Sequence, residues 1–224
     1  MPLYEWNEAL CRTYADGLRP MVRFVHAPCA ERIVRRLGAV PPGTTVLDVA
    51  AGPGFLLLEI GKRLPGARLV AQDQAEPMLA IARREAERAG LRIETICCPA
   101  EALAIPGASI DVVTCKQLLH EAADVDRTLG EMARVLKASG VAFVVDFDAQ
   151  RSYPAALATR VLLRVTRGAE MARDFWRSFQ SGVAGERVRD AMARAGFRSV
   201  EYQRAGFDYF IVGSGVDRPG GGPG

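Results

Sequence analysis

The sequence predicts an α/β fold in which a mostly parallel sheet is covered by helices on both faces, and three observations carry that prediction. Short apolar runs recur at 46–49, 68–72, 92–97, 110–115 and 141–147, and between them lie stretches of helical spacing, the alternation expected of β-α-β units. The first run, Val46-Leu47-Asp48-Val49, ends in the small-residue turn Ala50-Ala51-Gly52-Pro53-Gly54 where a helical pattern begins. Glycine, lacking Cβ, lets such a turn bring its backbone close to a ligand at the strand's carboxyl end. The second run closes on Asp73, whose carboxylate can accept hydrogen bonds from two vicinal hydroxyls.

The elements follow in order. From Tyr4 to Tyr14 and from Met21 to Leu37 apolar residues recur at helical spacing, interrupted at Pro20 and Pro28 and stopped by Gly38 and Pro41-Pro42-Gly43, so residues 1–40 read as an N-terminal helical cap. Phe55 to Leu64 is the first crossover helix, and Pro53 suits its first turn because the missing N–H would be unpaired there. Glu76 to Ala89 is a second helix closed by Gly90, and Arg92 to Cys97 a third strand. Ile110 to Cys115 is the central strand, leading into Lys116-Gln117-Leu118-Leu119-His120. A helix over Val125–Lys137 and a strand over Val141–Phe147 come next, with Asp146 and Asp148 at that strand's end. Helices over Tyr153–Arg167, Met171–Ser181 and Gly185–Ala195 precede two last strands around Ser199–Arg204 and Phe207–Gly213, which makes seven. The main domain therefore covers 41–216 with a cap insertion at about 151–183, and the Gly/Pro-rich segment 217–224 reads as a flexible tail.

Composition bounds the function. At 224 residues and 49% hydrophobic, the chain has ample material for one enzyme-sized core with an accessory cap. No apolar run approaches the roughly 20 residues that span a bilayer, and the start lacks a basic segment followed by an apolar one, so the expected location is cytoplasmic. The five cysteines form no C-x-x-C pair and read as free buried thiols, so neither a metal site nor a disulfide framework is expected. The net charge is +3, but 46–150 is net acidic while the basic excess lies in 151–224, outside the sheet-forming core.

One series of motifs is specific: Asp48-x-x-x-Gly52-x-Gly54, Asp73 with Glu76-Pro77-Met78-Leu79, Ala100-Glu101-x-Leu103, Asp111-Val112-Val113-Thr114 leading to Leu118-Leu119-His120, and Met132-x-Arg134-Val135-Leu136-Lys137-x-x-Gly140. The series resembles the class I S-adenosylmethionine-dependent methyltransferases, and its order is similar to the branch of the ubiquinone and menaquinone C-methyltransferases. The resemblance implies a Rossmann-like seven-stranded, mostly parallel sheet with the last strand antiparallel, and S-adenosyl-L-methionine as cofactor. It implies cofactor binding by Asp48, Ala50, Gly52, Gly54, Asp73, Gln74, Met78, Ala100, Glu101 and Lys116, with the start of the first crossover helix facing the methionine carboxylate. N-terminal helices cover the cofactor in relatives, so Trp6, Tyr14, Phe24 and His26 are expected either to line a substrate pocket or to pack the cap. Two positions depart from the pattern. Ala50 stands where many relatives have glycine, which at a strand end is expected to cost little. Pro99 stands where an acid usually meets the adenine amino group, leaving Ala100 and Glu101 to recognise it.

Methyl transfer from a sulfonium needs chiefly positioning and exclusion of water, and a base only where the nucleophile carries a proton. His120 is the first candidate for such a base, against the reading of a packing histidine. Lys116 is expected to anchor an acidic or enolate-like acceptor, against the reading of a lysine whose stem packs on the sheet while its ammonium reaches solvent. Cys115 reads as a strand residue. Arg160, Arg164 and Arg167 share one face of a helix whose Leu157, Val161, Leu162 and Val165 cover another, the pattern of a basic amphipathic helix. The expected function is methylation of a small or lipophilic acceptor at carbon, oxygen or nitrogen. The alternative is a non-catalytic cofactor-binding regulatory or assembly protein, which intact Asp48, Gly52, Gly54 and Asp73 disfavour and Pro99 favours. No nucleic-acid module is present, while peripheral membrane contact and a homodimer stay open.

Overall fold

The computed structural model describes residues 6–148 and 153–217. The cap begins with α1 (Glu8–Leu18), whose orphan N–H at Leu10 is satisfied by the Asn7 side chain at 3.0 Å, and continues through a 3-10 turn at Arg19–Met21 into α2 (His26–Leu37). The core alternates β1 (Thr45–Val49), α3 (Phe55–Gly61), β2 (Arg68–Asp73), α4 (Glu76–Arg88), β3 (Glu94–Cys97), β4 (Ile110–Lys116), α5 (Val125–Val135) and β5 (Leu136–Phe147). A helical hairpin follows, α6 (Tyr153–Arg167) and α7 (Ala169–Gln180), then α8 (Gly185–Arg194), β6 (Phe197–Ala205) and β7 (Asp208–Val216).

The seven strands run in the order β3-β2-β1-β4-β5-β7-β6, and only β7 opposes its neighbours. Successive strands step outward from β1 to β3 on one side and then resume at β4 on the other, so the connections part at the β1–β4 junction. The crevice above that junction is where open α/β sheets bind ligands. Strand alternation serves both layers: Val46 and Ala71 face a cluster with Ile33, Leu57, Ile60 and Leu79, while Leu47 and Val49 face one with Leu129, Met132, Val188 and Met192.

Two features differ from the sequence reading, and a third, the orientation of α6, adds to it. Helix α5 stops at Val135 because Leu136 pairs with Ile110; the register then shifts until Val141 meets Val112, so the fifth strand begins five residues earlier than its apolar run. Cys97, expected to be buried, is exposed, while Cys11 and Cys115 are buried. The apolar side of α6 faces solvent: Leu157, Val161, Leu162 and Val165 are 45%, 56%, 61% and 80% exposed, while Ala156 on the opposite side is fully buried. The hairpin attaches through an aromatic cluster of Phe175, Trp176 and Phe179 against Phe147 and Phe207. Of the expected tail 217–224, all but Asp217 lies outside the described residues, as do residues 1–5 at the start of the expected cap. Among the described residues no helix is long and apolar enough to cross a membrane, and no cluster of three or more His, Cys, Asp or Glu could hold a metal ion.

Candidate active site

A cavity of about 220 Å³ opens at the β1–β4 junction, floored by the strand ends and walled by α1, α2 and the 118–123 segment. At its floor Asp48 is 2% exposed and accepts from the Thr114 hydroxyl at 2.6 Å. Burial pushes its carboxyl up to about 7, and Asp73 adds to this, although Thr114 and the Lys116 ammonium pull the other way.

The turn after β1 is wound left-handed, with φ of +53° at Ala50, +53° at Gly52 and +78° at Gly54. Ala50 in this conformation is strained, contrary to the expectation that alanine there costs little. It is held by Gln72, whose Oε1 accepts from the Ala50 N–H at 3.1 Å while its Nε2 donates to the Cys98 carbonyl at 2.5 Å. One fully buried side chain thus ties the β1 turn to the segment after β3. A Cβ built on Gly52 would meet nothing within 4 Å, so the cradle is open on that side, whereas one on Gly54 would stand 3.1 Å from Ala82. Gly54 is therefore a packing position against α4 and does not line the cavity.

Asp73 faces the cavity with both oxygens oriented: Oδ2 accepts from the Gly52 N–H at 2.8 Å and Oδ1 from the Ala75 N–H at 2.9 Å. Burial raises its pKa despite those backbone bonds. Each oxygen keeps a lone pair for a further donor. Gln74, Met78, Ala100 and Glu101 line the same wall. The Glu101 carboxylate already accepts from the Ala123 N–H at 3.1 Å, and Pro99 is not among the lining residues.

Lys116 closes β4 and its ammonium donates to Gln117 Oε1 at 2.6 Å, with Gln117 itself left-handed at φ +57°. Trp6, Tyr14 and His26 line the cavity from the cap, while Phe24 points outward at 68% exposure. His120, expected as the candidate base, is not among the lining residues, although Leu118 and Glu121 on either side of it are. Its Nδ1 lies 2.8 Å from Asp146 Oδ1 and its Nε2 3.5 Å from Glu121 Oε1. Burial opposes its charge, but Asp146 and Glu121 prevail and hold the imidazole up at about 9, so at neutral pH it is a cation with no lone pair to offer. The same Asp146 accepts the Leu119 N–H at 2.6 Å, so the pair fixes the segment that walls the cavity.

The structure brings together Asp48, Ala50, Gly52, Asp73, Gln74, Met78, Ala100, Glu101 and Lys116, and leaves Gly54 and His120 outside the lining. Gln72, Gln117 and Glu121 are lining residues that the sequence reading did not single out.

Comparison with known proteins agrees with this architecture. Residues 46–140 match the family described as "Methyltransferase domain". The chain is 35% identical over 183 residues to the demethylmenaquinone methyltransferase of Thermus thermophilus, covering 78% of this chain and 82% of that one. It is 33% identical over 174 residues to a ubiquinone/menaquinone biosynthesis C-methyltransferase of Ralstonia nicotianae, covering 73% and 71%. Among solved structures, a SAM-dependent methyltransferase from Aquifex aeolicus superposes with a TM-score of 0.67 at 19% identity over 95% of this chain and all of that one. A phosphoethanolamine N-methyltransferase of Haemonchus contortus, in complex with S-adenosyl-L-methionine, does so at 0.67 and 16% identity over 90% of this chain and 44% of that one.

Proposed function

We propose, from the premise that this chain belongs to the class I S-adenosylmethionine-dependent methyltransferases, that the cavity above β1 and β4 holds the cofactor and that Lys116 anchors the acceptor beside it. The chain transfers methyl to a small or lipophilic acceptor. The finer reading is a carbon of a quinol-type ring, supported by the relatives named for demethylmenaquinone and for ubiquinone and menaquinone.

The observation that carries the placement is Asp73, fixed by two backbone N–H groups at the carboxyl end of β2 and facing the cavity with lone pairs to spare. Two further features fit the cofactor: the open space beside Gly52 admits the amino-acid end, and buried Asp48 provides a carboxylate for a cationic group. When bound, the cofactor supplies a methyl carbon already activated by its sulfonium. The chain's own residues orient and enclose. Asp73 would accept the ribose hydroxyls, the Ala50–Gly52 turn would lie along the amino-acid end, and Gln74, Met78, Ala100 and Glu101 would border the adenosine moiety. Lys116 would donate to an oxygen of the acceptor, stabilising negative charge there while cap residues Trp6 and Tyr14 exclude water. Calorimetric titration of Asp73→Ala with S-adenosylhomocysteine tests the placement. Affinity should fall at least tenfold, and unchanged binding would take Asp73 out of the site.

The outward side of α6 supports contact with an anionic membrane surface. Leu157, Val161 and Val165 recur every fourth residue on its solvent side, with Leu162 beside them, and α6 carries Arg160, Arg164 and Arg167 without an acidic residue. Arg160 stacks over Trp176 at 4.7 Å, which holds the basic edge against α7. Pairing of this face with a second copy would set arginines against arginines, so a lipid surface suits it better than a dimer. Each arginine near such a surface contributes about 1 kcal/mol, enough for weak, salt-sensitive adsorption. The protein should therefore sediment with anionic vesicles at low salt and be released at high salt, and Val161→Glu should stay in the supernatant. Wild-type protein that stays unbound at low salt would refute the reading, and a dimer dissociated by Val161→Glu would reassign the face.

A further inference from the structure

We infer that the hollow between α6 and α7 is a binding site for the phosphate group of an anionic phospholipid, one lipid to each chain. The inference rests on the reading of α6 as a membrane-contact face, and it replaces diffuse attraction with a defined site that includes a residue of α7.

Gly168, at φ +99°, turns the chain so that α7 packs along α6, and a second cavity of about 190 Å³ opens between the two helices. Leu157, Arg160, Val161 and Arg164 line it from α6, spaced three and four residues apart so that they form one stripe, and Ala172 and Arg173 line it from α7. Three guanidiniums thus surround one hollow. Among the described residues none of the three joins an ion pair, and no carboxylate lines the hollow. Other exposed arginines of this chain are paired: Arg12, Arg35, Arg68 and Arg88 each meet a glutamate at 2.5 or 2.6 Å. Arg160 is fixed by Trp176, whose ring its guanidinium covers at 4.7 Å. Stacking occupies the face of the group and leaves its N–H edge for a ligand.

Like charges held around one hollow raise its potential, and the group that answers all three is an anion with several acceptor oxygens. A phosphate suits this better than a carboxylate, because it can take paired N–H bonds from more than one guanidinium while a carboxylate has only two oxygens to share. Size then separates a head group from a whole molecule. Sites that enclose a small-molecule ligand measure roughly 300–1,000 Å³, so a hollow of about 190 Å³ takes the phosphate and leaves the rest outside. What lies outside is apolar: Leu157 and Val161 line the hollow yet are 45% and 56% exposed, and Leu162 and Val165 continue the apolar side outward. A free phosphate gains nothing from such a rim, whereas an acyl chain lies against it favourably.

Calorimetry of the full chain with dihexanoyl phosphatidic acid, kept below its micelle concentration, reads the site apart from any bilayer. Binding should saturate at one lipid per chain. Dihexanoyl phosphatidylcholine, which brings a choline cation toward the arginines, should bind roughly tenfold more weakly. Arg173→Gln, which leaves every α6 arginine in place, should weaken binding of the phosphatidic acid about five- to tenfold. Arg167→Gln removes the same charge outside the hollow and should bind as wild type does. Both positions are exposed, so the fold should survive, and circular dichroism checks that it does. Absence of saturable binding, or equal losses in the two variants, would overturn the site. Inorganic phosphate binding as tightly as the short-chain lipid would overturn the lipid as its occupant. Wild-type protein that binds the soluble lipid but no anionic vesicle would instead overturn the membrane reading of α6 and leave the site standing.

Discussion

Replacing Ala50 with glycine should stabilise this protein, against the usual direction of such a change. A non-glycine residue in the left-handed region costs about 1–2 kcal/mol, and Ala50 is held there at φ +53°. Glycine removes that cost but enlarges the unfolded ensemble by about 0.4–1 kcal/mol. The difference leaves roughly 0.5–1 kcal/mol in favour of Ala50→Gly, or about 1–4 °C in melting midpoint for a chain of this size. Gln72 supplies the internal control, because it bonds the Ala50 N–H at 3.1 Å and the Cys98 carbonyl at 2.5 Å from a buried position. Gln72→Leu strands both groups and should cost about 2–4 kcal/mol with Ala50 present. With glycine at 50 the turn needs less holding, so the same change should cost about 0.5–1 kcal/mol less. Thermal and urea unfolding of the two single variants and the double variant give the whole cycle. A lower midpoint for Ala50→Gly would refute the strain, and an equal cost for Gln72→Leu in both backgrounds would refute the idea that Gln72 maintains it.

The remaining predictions concern the site and its charges. Gly52→Val should abolish S-adenosylhomocysteine binding by calorimetry while the circular dichroism spectrum stays folded, because the added side chain enters the open cradle rather than the core; binding at wild-type strength would show that the turn is not the cofactor loop. His120 is held at about 9 in the folded state against 6.5 when free, so its pairing with Asp146 and Glu121 contributes fully below about 6.5 and is lost as pH rises through 9. Stability should therefore decline over that window, and His120→Gln should flatten the decline. Asp48 is raised from 3.8 to about 7 in the ligand-free fold, so its contribution has the opposite origin: stability falls as pH rises from about 4 to 7, where only the unfolded chain gives up the proton. A bound sulfonium favours the carboxylate, so affinity for S-adenosylmethionine should rise with pH through 7 more steeply than affinity for S-adenosylhomocysteine, which lacks the sulfonium charge; parallel profiles would place Asp48 away from that charge.

What the sequence makes legible here is whatever depends on local pattern. The apolar runs of β1, β2 and β4 are buried parallel strands, and Asp73 and Gly52 meet across 2.8 Å as the spacing of their motifs requires. Gln72 was visible in principle as a polar residue inside an apolar strand, but its two partners come from different segments and only folding joins them. His120 stands out by its place after the central strand, but its partner Asp146 lies 26 residues away and only folding joins them. The α6 pattern gives the helix but not which way its apolar face points. Helical periodicity reports that an apolar face exists, and whether it meets the core depends on how the aromatic cluster of α7 seats the hairpin.

The distribution of charge around the cavity argues for how the chain divides labour with its cofactor. A lysine beside a site meant for a sulfonium is unfavourable by itself, and here its field reaches Asp48 and Asp208, both carboxyls that burial holds near 7. Asp48, which lines the cavity and is poised between its two states, can ionise in response to added positive charge and so compensate a bound cation at little cost in fold stability. In the proposed role, Lys116 then meets an acceptor oxygen rather than neutralising the floor of the site. His120, though cationic, is matched by Asp146 and Glu121 and shielded from the cavity by its own burial, so its charge serves the position of the 118–121 segment. On the proposed reading, an enclosed donor, an oriented acceptor and local charge that can adjust are what the strand ends and the cap are asked to supply.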